Sequence, residues 1–332
     1  MNHTVQGAPA GQVNRRGWWL AGVAVSAALI AAAHVILPEP PPPAQRVTLS
    51  RRVPPPRRDG VAAERERPLL RVAFATMISP TDTHASYGRL AGYLAARMGA
   101  RPEVVHRGSY GAVNELLAAD SLSLAFICSG AYPEAHERYG ARPLAVPVID
   151  GRATYRSYVL APASSAASSL ASLAGARVAL VDPRSLTGRL YLLSRLRELA
   201  MPPPQQVSWT FSHDRSIRLV ARGLVDAAPI DSLVWERLAR SSPQLTGATK
   251  ILERSPEYPA PPFVVPKSCP DALSNLLGRT LFSMHRDPAG KVILDQLGID
   301  RFESTRDSSY DIVRRLQSQL EPAGHTPARA VE

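Results

Sequence analysis

The body of the chain alternates short apolar runs with stretches whose apolar residues recur at helical spacing. Leu69 to Ala75 (LLRVAFA) has the length and composition of a buried strand, and the polar stretch MISPTDTH after it reads as a loop. Tyr87, Leu90, Ala91, Leu94 and Met98 then fall on one helical face with Arg89 and Arg97 off it, which predicts a helix. A strand near Val104, a helix carrying Tyr110, Val113, Leu116 and Leu117, and a strand over Leu122 to Ile127 repeat the unit.

The middle of the chain does so three more times. VALV leads through DPRSLTG into RLYLLSRLREL, VSWTF through SHD into RSIRLVARG, and VDAAPI through DS into LVWERLA. Gly223, just past the apolar face of Ile217, Val220 and Ala221, reads as a helix stop. The chain returns through YPAPPFVVP, and helices are predicted from about Pro270 to His285 and from Tyr310 to Leu320. Such alternation predicts an α/β fold with mainly parallel sheets flanked by helices, and a ligand in the crevice beyond the carboxyl ends of the strands. After Leu320 the chain has no apolar face, and residues 321–332 read as a flexible tail.

The first fifth is different in kind. Trp18 to Leu37 (WWLAGVAVSAALIAAAHVIL) holds no Asp, Glu, Lys or Arg, and at ~1.5 Å per residue it matches the ~30 Å hydrocarbon layer of a bilayer. Residues 1–37 therefore predict a membrane anchor or signal segment. Ala31 to Ala33 offer a cleavage site, but the apolar Val35, Ile36 and Leu37 beyond it favour an uncleaved transmembrane helix. Residues 38–68 are rich in proline and arginine, a linker that would reach up to ~95 Å as polyproline II. Arginines beyond the apolar segment outnumber those before it, so the charge rule alone leaves the topology open.

The 332 residues carry a formal charge of +11. Nine arginines against Glu39, Asp59, Glu64 and Glu66 put a surplus of five in residues 1–67 and leave six for the rest, a mildly basic globular part. With no basic run interleaved with aromatics, a nucleic-acid function is excluded. Two cysteines, Cys128 and Cys269, supply neither a disulfide framework nor a four-ligand zinc site, and nothing calls for a metal or cofactor.

The junctions are specific as well as periodic. VDPRSLTGRLYLLSRLREL, FSHDRSIRLVARGLVDAAPIDSLVWERL, PPFVVPKSCPDAL and HRDPAGKVILDQLGIDRF, in this order, resemble the phosphate/phosphite/phosphonate-binding family of ABC-transporter periplasmic solute-binding proteins. ISPTDTHASYGRLAGYL, GSYGAVNELL and LAFICSGAY extend the match to about Leu69–Leu320. The resemblance implies a two-lobed, class II periplasmic-binding-protein fold closing by a hinge on a small oxyanion. Lobe 1 would comprise residues 69–155 and 259–320, and lobe 2 residues 156–258. It also implies a periplasmic monomer, held here to the cytoplasmic membrane by residues 18–37, that delivers its ligand to an ABC-transporter permease.

Carried over by motif, the ligand contacts implied are Tyr110, Tyr132, Ser185, Thr187, His213 and Asp231, with Leu186 interrupting what is often a run of hydroxyl residues. The chemistry is coherent. Backbone N–H groups at a helix start and the Ser185 and Thr187 hydroxyls hold an anion without a buried cation. His213 would add a charge-assisted donor when protonated. A carboxylate at Asp231 repels an anion unless the ligand offers an acidic O–H, which selects protonated oxyanions over sulfate.

Cys128 ends a strand where it either fills space or faces the ligand. A thiolate there would suit arsenite, which a smaller branch of proteins resembling this family binds through a cysteine while working with a membrane sensor kinase. That makes a ligand-sensing subunit the alternative function. Ser185, His213 and Asp231 together also raise a hydrolase, but Ser185 is not in G-x-S-x-G and no separate oxyanion hole is marked, so no enzyme is expected.

Overall fold

The computed structural model describes residues 67–75 and 80–320, with residues 80–86 as backbone; the anchor segment, most of the linker and the tail lie outside the described residues. Among the described residues no helix is long and apolar enough to cross a membrane. β1 (Leu69–Phe74) shows how the apolar runs are used. Leu70, Val72 and Phe74 join Leu90 and Leu94 of α1 (Pro80–Arg97) in one core, while Ala73 serves a second core on the opposite face. Successive strand side chains alternate between faces, so a strand buried on both needs a continuous apolar run.

α1 starts at Pro80, so the second half of the stretch expected to be a loop is helical. Proline's fixed φ and missing N–H both suit a first turn. The face read from Tyr87 to Met98 is the inward one, with Leu90, Ala91 and Leu94 fully buried.

β2 (Arg101–Val105), α2 (Tyr110–Ala118), β3 (Leu124–Phe126), α3 (Tyr132–Tyr139) and β4 (Arg142–Val148) continue the first body. β5 (Thr154–Tyr155) leads to β6 (Ser157–Pro162), β7 (Arg177–Leu180), α4 (Tyr191–Glu198), β8 (Gln206–Trp209), α5 (His213–Ala221) and β9 (Ala228–Asp231). α6 (Ser232–Ser241), α7 (Pro243–Gly247) and β10 (Thr249–Arg254) complete this second set. The chain returns through β11 (Tyr258–Pro259) to β12 (Phe263–Val265), α8 (Asp271–Ser283), α9 (Pro288–Leu297), β13 (Arg301–Ser304) and α10 (Asp311–Leu320).

One sheet has six strands in the order β13-β4-β12-β3-β1-β2, and a second has the order β10-β6-β9. A parallel bridge between Val178 and Ala227 places the β7–β8 pair beside β9. β5 pairs with β11 where the chain passes between the two bodies.

The expectation of mainly parallel sheets is corrected. β2, β1 and β3 are parallel, as are β7 and β8, but β12 and β13 run against their neighbours, and β6 runs against both β9 and β10. The physical reason is connectivity. A strand fed by a crossover helix enters parallel, whereas β6 and β12 follow directly from segments arriving from the other body and enter in the opposite direction. β8 is exposed along its whole length, so that edge is not covered on both sides.

Tyr158, Leu160, Ile217, Val220 and Ile230 form the core of the second body. Another core is shared, joining Val105, Val113 and Tyr132 of the first body to Leu180, Leu190 and Tyr191 of the second. α5 ends where Gly223 takes the left-handed conformation, φ +65°, as its position predicts.

Leu94 is 0% exposed, so Leu94→Ala should destabilise the protein by about 2–5 kcal/mol through lost burial and a residual cavity. Urea unfolding at constant slope checks this, and a loss below half a kcal/mol would show that the α1 face does not carry the core.

Candidate functional site

The DPRSLTG segment after β7 enters α4 through a wide turn, Leu186–Leu190, whose Tyr191 N–H reaches back to the Leu186 carbonyl. Ser185 caps the turn, accepting the Gly188 N–H at 3.0 Å. Asp182 heads the segment and ties the two bodies together. Its carboxylate accepts the Arg184 N–H at 2.8 Å and, across the divide, the Tyr110 N–H at the start of α2 at 3.0 Å.

Arg184 pairs with Glu134 of α3 through both Nε and Nη2, the latter at 3.0 Å. Burial would raise the Glu134 pKa, but the bonds from Arg184 and Asn114 hold it below its ordinary value. The backbones themselves are close: a Cβ on Gly130 would overlap the Arg184 carbonyl oxygen and lie 2.6 Å from the Leu186 nitrogen.

Asp231 ends β9 and caps α6, its Oδ1 accepting the Leu233 N–H at 2.8 Å. It is 2% exposed and has no cationic partner. Burial raises its pKa from 3.8 to about 7, against the lowering pull of the Leu233 and Val234 N–H groups. The Asp231 N–H donates to Nδ1 of His213 at 3.0 Å. With Nδ1 accepting, the neutral ring carries its proton on Nε2. Burial pushes His213 down to about 3. The expectation of a charge-assisted donor at His213 is therefore corrected: desolvation without a carboxylate beside the ring keeps it uncharged.

Cys128, Tyr110 and Tyr155 gather on the near side of Asp231, each feeling its charge. Ser157, opposite Asp231 in the β6–β9 ladder, donates to the Thr187 carbonyl at 2.7 Å and fixes the turn beside it. Among the described residues the Thr187 hydroxyl is fully buried without a hydrogen-bond partner, and those of Tyr110 and Tyr155 are fully buried with only Ser185 and Ser129 in reach and no well-formed bond. Unsatisfied buried hydroxyls cost about 1–3 kcal/mol each, so three in this one region, two of them within the field of Asp231, mark a place suited to another group.

The structure thus brings together Tyr110, Cys128, Ser185, Thr187, His213 and Asp231. Tyr132 does not join them, because its hydroxyl donates to Asp307 at 2.8 Å and its ring packs on Tyr310. Ser212 spends its hydroxyl on Asp214. The Leu186 N–H faces the Cys128 sulfur.

The thiolate expectation for Cys128 is corrected too. Burial pushes the thiol up to about 11 despite the Leu186 and Gly130 N–H groups, so it stays protonated at neutral pH and no thiolate stands ready for a ligand. Cys269 is buried elsewhere, its sulfur toward the Pro270 carbonyl.

Sequence reasoning missed three residues. Tyr155 sits in a two-residue strand with no motif around it, and Glu134 gives no signal at all. Asp182 opens the DPRSLTG string and was the one within reach.

A family model described as the periplasmic substrate-binding protein of a phosphonate ABC transporter matches residues 72–310. Solved structures share the fold. A binding-protein component of an ABC phosphonate transporter from Pseudomonas aeruginosa superposes with a TM-score of 0.71 at 20% identity, covering 76% of this chain and 86% of that one. A Prochlorococcus marinus protein in complex with methylphosphonate gives 0.70 at 17% identity, covering 76% and 98%. A Xanthomonas citri protein bound to ATP gives 0.62 at 18%, covering 76% and 99%.

Two predictions follow from the geometry. Gly130→Ala should separate the two bodies and increase the radius of gyration in small-angle scattering while leaving the circular dichroism unchanged; an unaltered radius would show that the approach at Gly130 is not limiting. The folded chain keeps a proton on Asp231 between pH 3.8 and about 7 that the unfolded chain releases, so this group's stabilisation is complete below that window and lost as pH rises through it. Asp231→Asn should remove that downward slope from denaturation curves taken across the interval. The rise with pH that His213 contributes, from about 3 to 6.5, should remain.

Proposed function

The chain belongs to the periplasmic substrate-binding family of phosphonate ABC transporters, and we propose that this member captures a protonated phosphorus oxyanion (phosphate, phosphite or a phosphonate) by hinge closure between two lobes. Its family is one of binding proteins that serve a transporter, not of enzymes. The observation that carries the reading is the trio of buried hydroxyls without a well-formed partner, from Tyr110, Tyr155 and Thr187, in the neighbourhood of Asp231, whose pKa is raised to about 7.

Lobe 1 on this reading is residues 69–155 and 259–320, lobe 2 is residues 156–258, and the β5–β11 crossing is the hinge. Tyr110, Ser185, Thr187 and Tyr155 provide hydroxyls to the oxyanion, and His213 positions Asp231 through its main chain. Cys128 packs against the site as a neutral thiol. No side-chain cation is needed, since neutral donors and helix-start N–H groups disperse the charge.

Asp231 sets the proton count. With a pKa of about 7, it and a hydrogen phosphonate share one proton, either partner donating. Sulfate brings none, so it binds only while Asp231 is protonated. The methylphosphonate complex of the Prochlorococcus protein of the same fold is consistent with this ligand class. The uncharged Trp18–Leu37 segment and the long linker support an anchored monomer that hands its ligand to a permease in the same membrane.

Calorimetric titration of the full-length chain with phosphate, phosphite, methylphosphonate and sulfate tests the reading. A phosphorus oxyanion should bind, and Thr187→Ala should weaken it about tenfold, the effect of one lost hydrogen bond of ~1.4 kcal/mol to a charged group. Sulfate should weaken as pH rises above 7, and Asp231→Asn should narrow the preference for the phosphorus ligand over sulfate. No heat with any of the four would sink the proposal.

A further inference from the structure

Asp231 has a second neighbourhood. It also lines a cavity of about 340 Å³ between the two bodies, which none of Tyr110, Tyr155 and Thr187 borders, within the roughly 300–1,000 Å³ of small-molecule sites and well above what a bare oxyanion fills. Tyr87, Phe126 and Ile149 of the first body form one wall, and α6 of the second forms the other. Along α6 the chemistry changes in order. Leu233 and Val234 follow Asp231, then Arg237 and Arg240 lie on the same helix face, about 9 and 13 Å further along at ~1.5 Å per residue.

The acids of this cavity are spoken for: Glu236 accepts the Tyr158 hydroxyl at 2.6 Å, and Asp295 pairs with Lys291. Arg237 and Arg240 have no side-chain partner among the described residues. Tyr87 feels both Arg237 and Asp231, so the two ends of the cavity lie within reach of one ring.

We propose that this cavity is a substituent subsite, and that the ligand is a phosphonate with an extended organic group, apolar next to phosphorus and anionic at its tip. The inference rests on the oxyanion reading of the Asp231 cluster. That cluster grips the head group, the apolar walls displace water from the chain, and Arg237 with Arg240 meets the terminal anion. Arginine suits this role because its planar guanidinium binds carboxylate or phosphate through two donors.

Calorimetry of the full-length chain with methylphosphonate, hexylphosphonate and 6-phosphonohexanoate tests it. Hexylphosphonate should bind at least tenfold tighter than methylphosphonate, a conservative share of what five buried methylenes supply. The terminal carboxylate should add about tenfold more, and Arg237→Ala with Arg240→Ala should remove that last gain while leaving methylphosphonate affinity unchanged. Equal affinity for methyl- and hexylphosphonate overturns the subsite, as does a carboxylate gain that survives the double substitution, and in both cases methylphosphonate still binds. Failure of every phosphonate, methylphosphonate included, overturns the oxyanion reading itself and the subsite with it.

Discussion

A carboxylate buried to 2% exposure without a cation beside it is the constraint on which the centre of this molecule depends. An isolated charge in such a place is costly, and the group responds by holding its proton more tightly rather than by recruiting a partner. For Asp231 the compensation is local: the Leu233 and Val234 N–H groups at the head of α6 face it. A basic side chain in the same volume would have pulled the carboxylate to full ionisation and filled the space with an internal ion pair. Neutral donors leave both the proton and the space available.

The neighbours of Asp231 obey the same rule. His213 is kept neutral and is used through Nδ1 to hold the Asp231 main chain, and Cys128 is kept as a thiol. An ion pair lies further out, between Arg184 and Glu134 where the two bodies meet. Arg184 and Glu134 are partly exposed, and an ion pair in such a setting contributes modestly on its own. Its value is geometric, because it flanks the Asp182 bond to the Tyr110 N–H and the close backbone approach at Gly130. Orientation is thereby fixed by directional bonds as well as by the apolar core that the two bodies share.

Much of this was legible in the chain. Strand length, helical spacing and the polar junctions gave the βα units, the inward face of α1 and the stop at Gly223, because those follow from local periodicity. The strand directions were not legible at β6, β12 and β13, since pairing direction depends on which body a segment arrives from. Ser185, Thr187 and Asp231 were named through the family resemblance, and the structure places them at junctions between strand and helix, where Ser185 and Asp231 act as caps. Tyr132 was assigned by motif, yet its hydroxyl goes to Asp307, a residue 175 positions away whose proximity no local pattern encodes. Tyr155 escaped for the opposite reason: its surroundings are ordinary, and only the fold brings its hydroxyl beside Asp231. His213 and Cys128 lie close to Asp231, and burial keeps both uncharged, which sequence does not encode because it reveals a titratable group and not the solvent it loses.

The arrangement also bears on how a site made of neutral donors can discriminate among anions of similar size. Hydroxyls and N–H groups accept any tetrahedral oxyanion, so shape and charge alone would admit sulfate. A carboxylate poised near neutrality converts the difference in ligand acidity into a difference in hydrogen bonding. Where one proton lies between Asp231 and the ligand, a short charge-assisted bond forms; where none does, two negative groups face each other without water to separate them. On the proposed reading the penalty is large because Asp231 is buried, in a part of the molecule that the Asp182 bond to Tyr110 and the close approach at Gly130 help to close. On that reading, selectivity and the junction between the bodies are one property, because the desolvation that lifts the pKa of Asp231 would also set the penalty for an anion that brings no proton.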